Sequence, residues 1–236
     1  MPAKIPAPKL KSRKLEAARL IWQKAQASAV AFIKTFEEKR SGKTAGTSSD
    51  AEQDLLRAAV VFSGAGLDAV VKQLLRDAGE ALLTPAFLDS SDGKPLLREV
   101  SRRLRVSAPE EDADAPGEGK TRLLARAILS GSPRSVVCQD LIGAVTGDSL
   151  QSVEQLSRVC GLFGLSRSEC VQPREAELRS ALGTRNEIVH EMDIDLGIAN
   201  RKRRPRRRDE VTVHVRILLE TAKRFLETAD KRLGKA

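Results

Sequence analysis

Two long stretches of this chain carry apolar residues three and four positions apart, a period that a helix with one buried face satisfies. From 12 to 40 the series is Leu15, Ala18, Ile21, Trp22, Ala25, Ala29, Phe32, Ile33 and Phe36. From 50 to about 78, Leu55, Ala59, Phe62, Leu67, Val70, Val71 and Leu74 form a broader stripe, which predicts a second helix at the centre of the fold. Ser49 with Glu52 three residues later forms a capping box that opens it. Aromatic residues are only 3% of the chain. Aliphatic helix packing follows, and an all-β fold is close to excluded.

Further helical periodicity predicts segments at 95–106, 121–130, 133–145, 150–160, 173–191 and 210–233. The fold class expected is an all-α bundle, with no internal repeat. With 236 residues the chain reads as one large domain, or one with arms and an insertion. The expected division is a basic N-terminal arm and helix at 1–49, then a helical domain at 50–236 with an insertion around 84–120. The opening MPAKIPAPKLK suits an extended arm, because proline has no N–H and fixes its own φ. Residues 84–93 are rich in turn formers, and SAPEEDADAPGEGK reads as a flexible acidic loop.

No run approaches the roughly 18 apolar residues that span a bilayer, and the N-terminus lacks a secretory core. A cytoplasmic location and no membrane partner are therefore expected. Cys138, Cys160 and Cys170 match neither a CxxC pair nor a disulfide framework, and are read as reduced core or surface residues.

The net charge of +9 is unevenly placed. Lys4, Lys9, Lys11, Arg13 and Lys14 contribute five positive charges, and RKRRPRRR at 201–208 contributes seven, so the remainder stands at −3. A mildly acidic body thus carries two basic segments of the kind that attracts phosphate polyanions.

One constellation carries chemistry. LRSALGTRNEIVHEMDID places Arg185, Asn186 and His190 near the end of one helix. Asn186 and His190, at i and i+4, share a face, whereas positions 185 and 190 lie about 140° apart around the axis. RNEIVH resembles the Rx4-6H motif of the HEPN superfamily, and DLLRAAVVFSGAGLDAVVKQLL, with Arg57 and Asp68, is similar to the first long helix of its RiboL-PSP type. SVEQLSRVCGLFGLS fits the same pattern, and the resemblance covers roughly residues 50–195. It implies a dimerising helical bundle with two Arg/His motifs across a shared cleft. It further implies metal-independent RNA cleavage, without a cofactor, in a toxin, phage-defence or RNA-processing setting. An antitoxin or sensor partner is implied with it.

The residues suit that chemistry. Cleaving RNA at its 2′-hydroxyl needs a base, an acid and positive donors for the phosphorane oxygens. An imidazole such as that of His190 exchanges protons near neutrality. Arg185 offers a bidentate guanidinium, and Asn186 can orient the hydroxyl or the ring. The bland alternative for His190 is an ordinary polar residue at a helix end. Asp68 is a candidate to position Arg185 or His190, or else an acid paired with Lys72 at i+4. Arg57 is a weaker supporting candidate, since a lone helical arginine is usually solvated. His214 is read as structural or surface.

The basic run, Arg201, Lys202, Arg203, Arg204, Arg206, Arg207 and Arg208, is either an RNA-backbone grip or a solvated loop. GAGLDA and GEGKT are discarded as nucleotide loops, and Glu191, Asp193 and Asp195 lack metal-site spacing. The competing function is a non-catalytic helical module that binds nucleic acid or a partner protein through its basic segments. A DNA-binding regulator ranks last, for want of a helix-turn-helix signal. The acidic 107–119 loop is a candidate autoinhibitor of RNA binding.

Overall fold

A computed structural model describes residues 5–41, 48–84, 89, 93–104, 129–195, 197 and 201–234. The elements are α1 (Glu16–Arg40), α2 (Asp50–Leu82), α3 (Lys94–Leu104), α4 (Pro133–Gly147), α5 (Val153–Phe163), α6 (Arg167–Cys170), α7 (Glu175–Glu191) and α8 (Arg208–Leu233). The described residues are all-α, with no strand and a single antiparallel bridge between Ile194 and Arg203. The acidic 107–119 stretch, GEGKT, the 121–128 part of one expected helix and most of the 84–93 connection lie outside the described residues.

Helix α2 is the centre, as its stripe predicts, and α1, α8, α7 and α4 all pack on it. The Ser49 and Glu52 box is present, with the Ser49 hydroxyl accepting from Glu52 N–H and the Glu52 carboxylate accepting from Ser49 N–H. Ala59, Leu67, Val70, Val71 and Leu74 are fully buried. Phe62 departs from the stripe: it is 48% exposed, its ring 5.1 Å from that of half-buried Phe32. Among the described helices α2 alone is long and apolar enough to cross a membrane. Much of that apolarity faces neighbouring helices, which a core helix requires.

Helix α1 belongs to the same core. Ala18, Trp22, Ala29 and Ile33 are buried in one continuous cluster with α2 and α8, and the Trp22 indole N–H donates to the Leu219 carbonyl at 2.8 Å. Its close seat on α2 depends on Gly66, where a Cβ would lie 2.4 Å from that of Ala25. Residues 5–12 are extended, as the prolines dictate, yet docked: Gln26 Nε2 donates to Ile5 O at 2.9 Å, and the Asp230 carboxylate accepts from Lys11 and Ser12 N–H. The residues of the expected 1–49 unit that are described thus share the body of the bundle.

Two helix starts fall later than their periodicity suggests. α5 begins at Val153 because Ser152 and Gln155 form a second capping box. α7 begins at Glu175 because Pro173 sits in a 3-10 turn, Gln172–Arg174, that follows the short α6. The three cysteines are free and buried.

Candidate functional site

The site lies at the C-terminal end of α7, where that helix crosses α2 and meets the loop before α5. α7 runs unbroken through Glu191, so the 140° separation of Arg185 and His190 persists. Arg185 faces α2. Its Cγ lies 2.9 Å from where a Cβ on Gly64 would stand, so only glycine leaves room for this stem. Its Nη1 then turns back to donate to Asn186 Oδ1 at 3.1 Å.

Asn186 and His190 share the next face and meet one residue, Gln151. Asn186 Nδ2 lies 3.4 Å from the Gln151 carbonyl oxygen, and His190 Nε2 lies 3.1 Å from Gln151 Oε1. The guanidinium thus meets the amide directly, and Gln151 links the amide to the imidazole. Nothing in the local sequence marks Gln151; it lies 35 residues before Asn186, and only the tertiary fold joins them.

Asp68 touches neither Arg185 nor His190. It pairs with Lys72 at 3.0 Å and accepts from Leu150 N–H at 2.7 Å, which fixes the loop that presents Gln151. The i+4 ion pair is thus present, whereas the expected bond from Asp68 to Arg185 or His190 is not, because Lys72 and the Leu150 N–H occupy its carboxylate.

Beyond His190 the chain reverses sharply. Met192 and Asp193 both adopt positive φ, 53° and 61°, and Asp193 N–H donates back to Glu187 O, a helix-ending geometry that Asp tolerates better than bulkier residues. This turn drives the Asp193 side chain inward to zero exposure. There it accepts from Arg57 Nε at 2.7 Å and from Arg206 Nε at 3.1 Å, with Arg206 Nη2 closing the pair. Arg57 is not solvated: it is 3% exposed and also donates to Asp54 and to the Arg204 carbonyl.

The basic run is correspondingly ordered where described. Arg203 pairs with Asp54, Arg204 with Glu191, Arg206 with Glu187 and Asp193, and Arg208 with Glu37 and Asp209. Backbone bonds from Arg204 N to Asp193 O and from Asp195 N to Lys202 O zip this segment against the end of α7. Arg201, Lys202 and Arg207 remain exposed, with no carboxylate partner among the described residues. Lys202 and Arg207 border an open cleft of about 930 Å³ between the end of α1, the start of α2 and the start of α8.

Val189, one turn beyond Arg185 on α7, is 39% exposed, and Met192, just past the end of that helix, is 64% exposed. On α2, Asp68, one turn beyond Gly64, carries the Lys72 ion pair, and exposed Phe62 points around the helix toward Phe32 of α1.

His214 is a core residue. Its Nε2 lies 3.4 Å from Ser180 Oγ, and Nδ1 is buried without a partner among the described residues. Burial lowers its pKa, a shift that Arg206 reinforces and that Glu210 and Glu187 oppose. Among the described residues no three His, Cys, Asp or Glu side chains are grouped to hold a metal ion.

Fold and site together define an all-α protein with an Arg–Asn–Gln–His cluster at one helix end, braced by a buried ion-pair network. Comparison of the chain with protein-family models, curated proteins and solved structures found no match.

Proposed function

We propose that this chain is a metal-independent endoribonuclease of HEPN type. The observation that carries the reading is the clustering of Arg185, Asn186 and His190 at one exposed helix end, beside exposed Val189 and Met192. Arg185 would bind nonbridging phosphate oxygens, and its donors would meet the charge that grows on the phosphorane. His190 would take the 2′-hydroxyl proton or protonate the 5′-oxygen leaving group, but one imidazole cannot do both at once. A second copy supplies the other. Val189 and Met192, exposed beside Arg185, offer the apolar side chains at which two copies would meet. The products would be a 2′,3′-cyclic phosphate and a 5′-hydroxyl. The resemblance suggests a cytoplasmic toxin or anti-phage effector, restrained by an antitoxin or sensor protein.

The test is incubation of total RNA and a tRNA pool with wild type and His190→Ala in EDTA, followed by end-group analysis. Cyclic-phosphate ends from wild type alone are expected. RNA binding without cleavage by a folded dimer would refute the enzyme. It would favour the non-catalytic module, which the exposed cations Arg201, Lys202 and Arg207 support. In that case charge reversal at those three residues would abolish binding, and His190→Ala would leave it unchanged.

A further inference from the structure

We propose that Gln151 is the positioning residue of this site. It accepts from the Nε2–H of His190 and so leaves Nδ1 as the nitrogen that exchanges protons with substrate. The consequence for catalysis rests on the ribonuclease reading; the ring contact itself does not.

Gln151 is itself held on every side. Its own N–H donates to Gln155 Oε1 at 2.7 Å, and the same oxygen accepts from Ser152 N–H at 3.0 Å. The preceding residue, Leu150, is tied to Asp68, and the Gln151 carbonyl oxygen faces the Asn186 amide. With its backbone fixed, the side chain makes one hydrogen bond among the described residues, to the His190 ring, and the ring makes no other among them. A carbonyl oxygen cannot donate, so the ring nitrogen facing it must carry the proton.

The neutrality of this partner matters. Most acids on the elements around His190 are paired elsewhere: Glu187 with Arg206, Glu191 with Arg204, Asp193 with Arg57 and Arg206, Glu154 with Arg179 and Asp68 with Lys72, while Asp148 on the loop before α5 is exposed and makes no ion pair among the described residues. An amide oxygen holds Nε2–H in both the neutral and the cationic ring, so the imidazole keeps its orientation through a proton-transfer cycle. A carboxylate in its place would favour the cation.

The experiment follows the ring signals of His190 by NMR in the full-length protein, labelled with 15N histidine. Only two histidines are present, and His190→Ala assigns the pair. The His214 signals report whether the core is intact. In Gln151→Glu, close to isosteric, the His190 titration should move to higher pH by about one unit or more. The pH dependence of kcat should move with it. In Gln151→Ala the neutral ring should lose its fixed tautomer, the N–H being shared between Nδ1 and Nε2, and kcat should fall about 10- to 100-fold with KM little changed. Identical His190 signals and titration in wild type and both variants would overturn the proposal, even if wild type cleaves RNA. Shifted signals in a protein that cleaves nothing would uphold the contact and refute the ribonuclease instead.

Discussion

Replacing Gly64 or Gly66 with alanine should have opposite outcomes, although both lie inside α2 and two residues apart. Each substitution gains about 1 kcal/mol of helix propensity. At Gly66 the new Cβ would stand 2.4 Å from Ala25 Cβ, whose backbone belongs to α1 and cannot turn aside. Restoring a normal carbon contact of about 3.8 Å requires the helices to part by more than 1 Å, against the close packing of Trp22, Ala29 and Ile33. Overpacking of this kind costs about 3 kcal/mol at the upper end of its usual range, leaving a net loss of about 2 kcal/mol. For a chain of this size that lowers Tm by roughly 4 to 8 °C.

At Gly64 the new Cβ meets Arg185 Cγ at 2.9 Å, a flexible stem that can swing away. Stability should hold, or rise by up to about 1 kcal/mol, while the guanidinium leaves its seat. A displacement of about 1 Å at a reacting group can cost as much as 100-fold in rate. Thermal denaturation of both variants, with RNA cleavage measured on Gly64→Ala, reads the contrast. Equal destabilisation by the two substitutions would refute the assignment of one contact to a Cβ fixed on α1 and the other to a movable side chain.

Asp193→Asn should destabilise the fold by about 2 to 3 kcal/mol in urea denaturation. This is less than the usual 3 to 5 for breaking a buried pair, because Arg57 keeps Asp54 and Arg206 keeps Glu187. The pH dependence of stability should carry a His214 contribution of definite sign. The folded-state value lies below the ordinary one because the ring is buried, so the unfolded chain takes the proton first as pH falls. That contribution is therefore full above about pH 6.5 and declines below it. Urea midpoints from pH 7.5 to 5 should fall less steeply for His214→Gln than for wild type.

Local structure was legible in the sequence wherever its cause is local. The helical periods of α1, α2 and α8 come from side chains that share one stripe, and the Ser49 and Glu52 cap is a contact three residues long. The presence of Arg185, Asn186 and His190 near one helix end, and the 140° between the first and last, follow from helix geometry alone. The Ser152 and Gln155 cap is equally local, a contact three residues long.

The tertiary structure alone decided what those side chains meet. Arg206 reads as one charge among seven, and it is buried because Asp193 and Glu187 stand 13 and 19 residues earlier. Arg57 reads as a solvated helical charge, and it is buried because Asp193, 136 residues later, turns inward at positive φ. Phe62 fits the apolar stripe, yet it stays 48% exposed at the edge of α1, beside Phe32. Gln151 has no sequence signature because its role depends on a helix 35 residues on. Helix period is set by neighbours along the chain, whereas ion pairs, close glycine approaches and ring partners are set by neighbours across it, and only folding selects those.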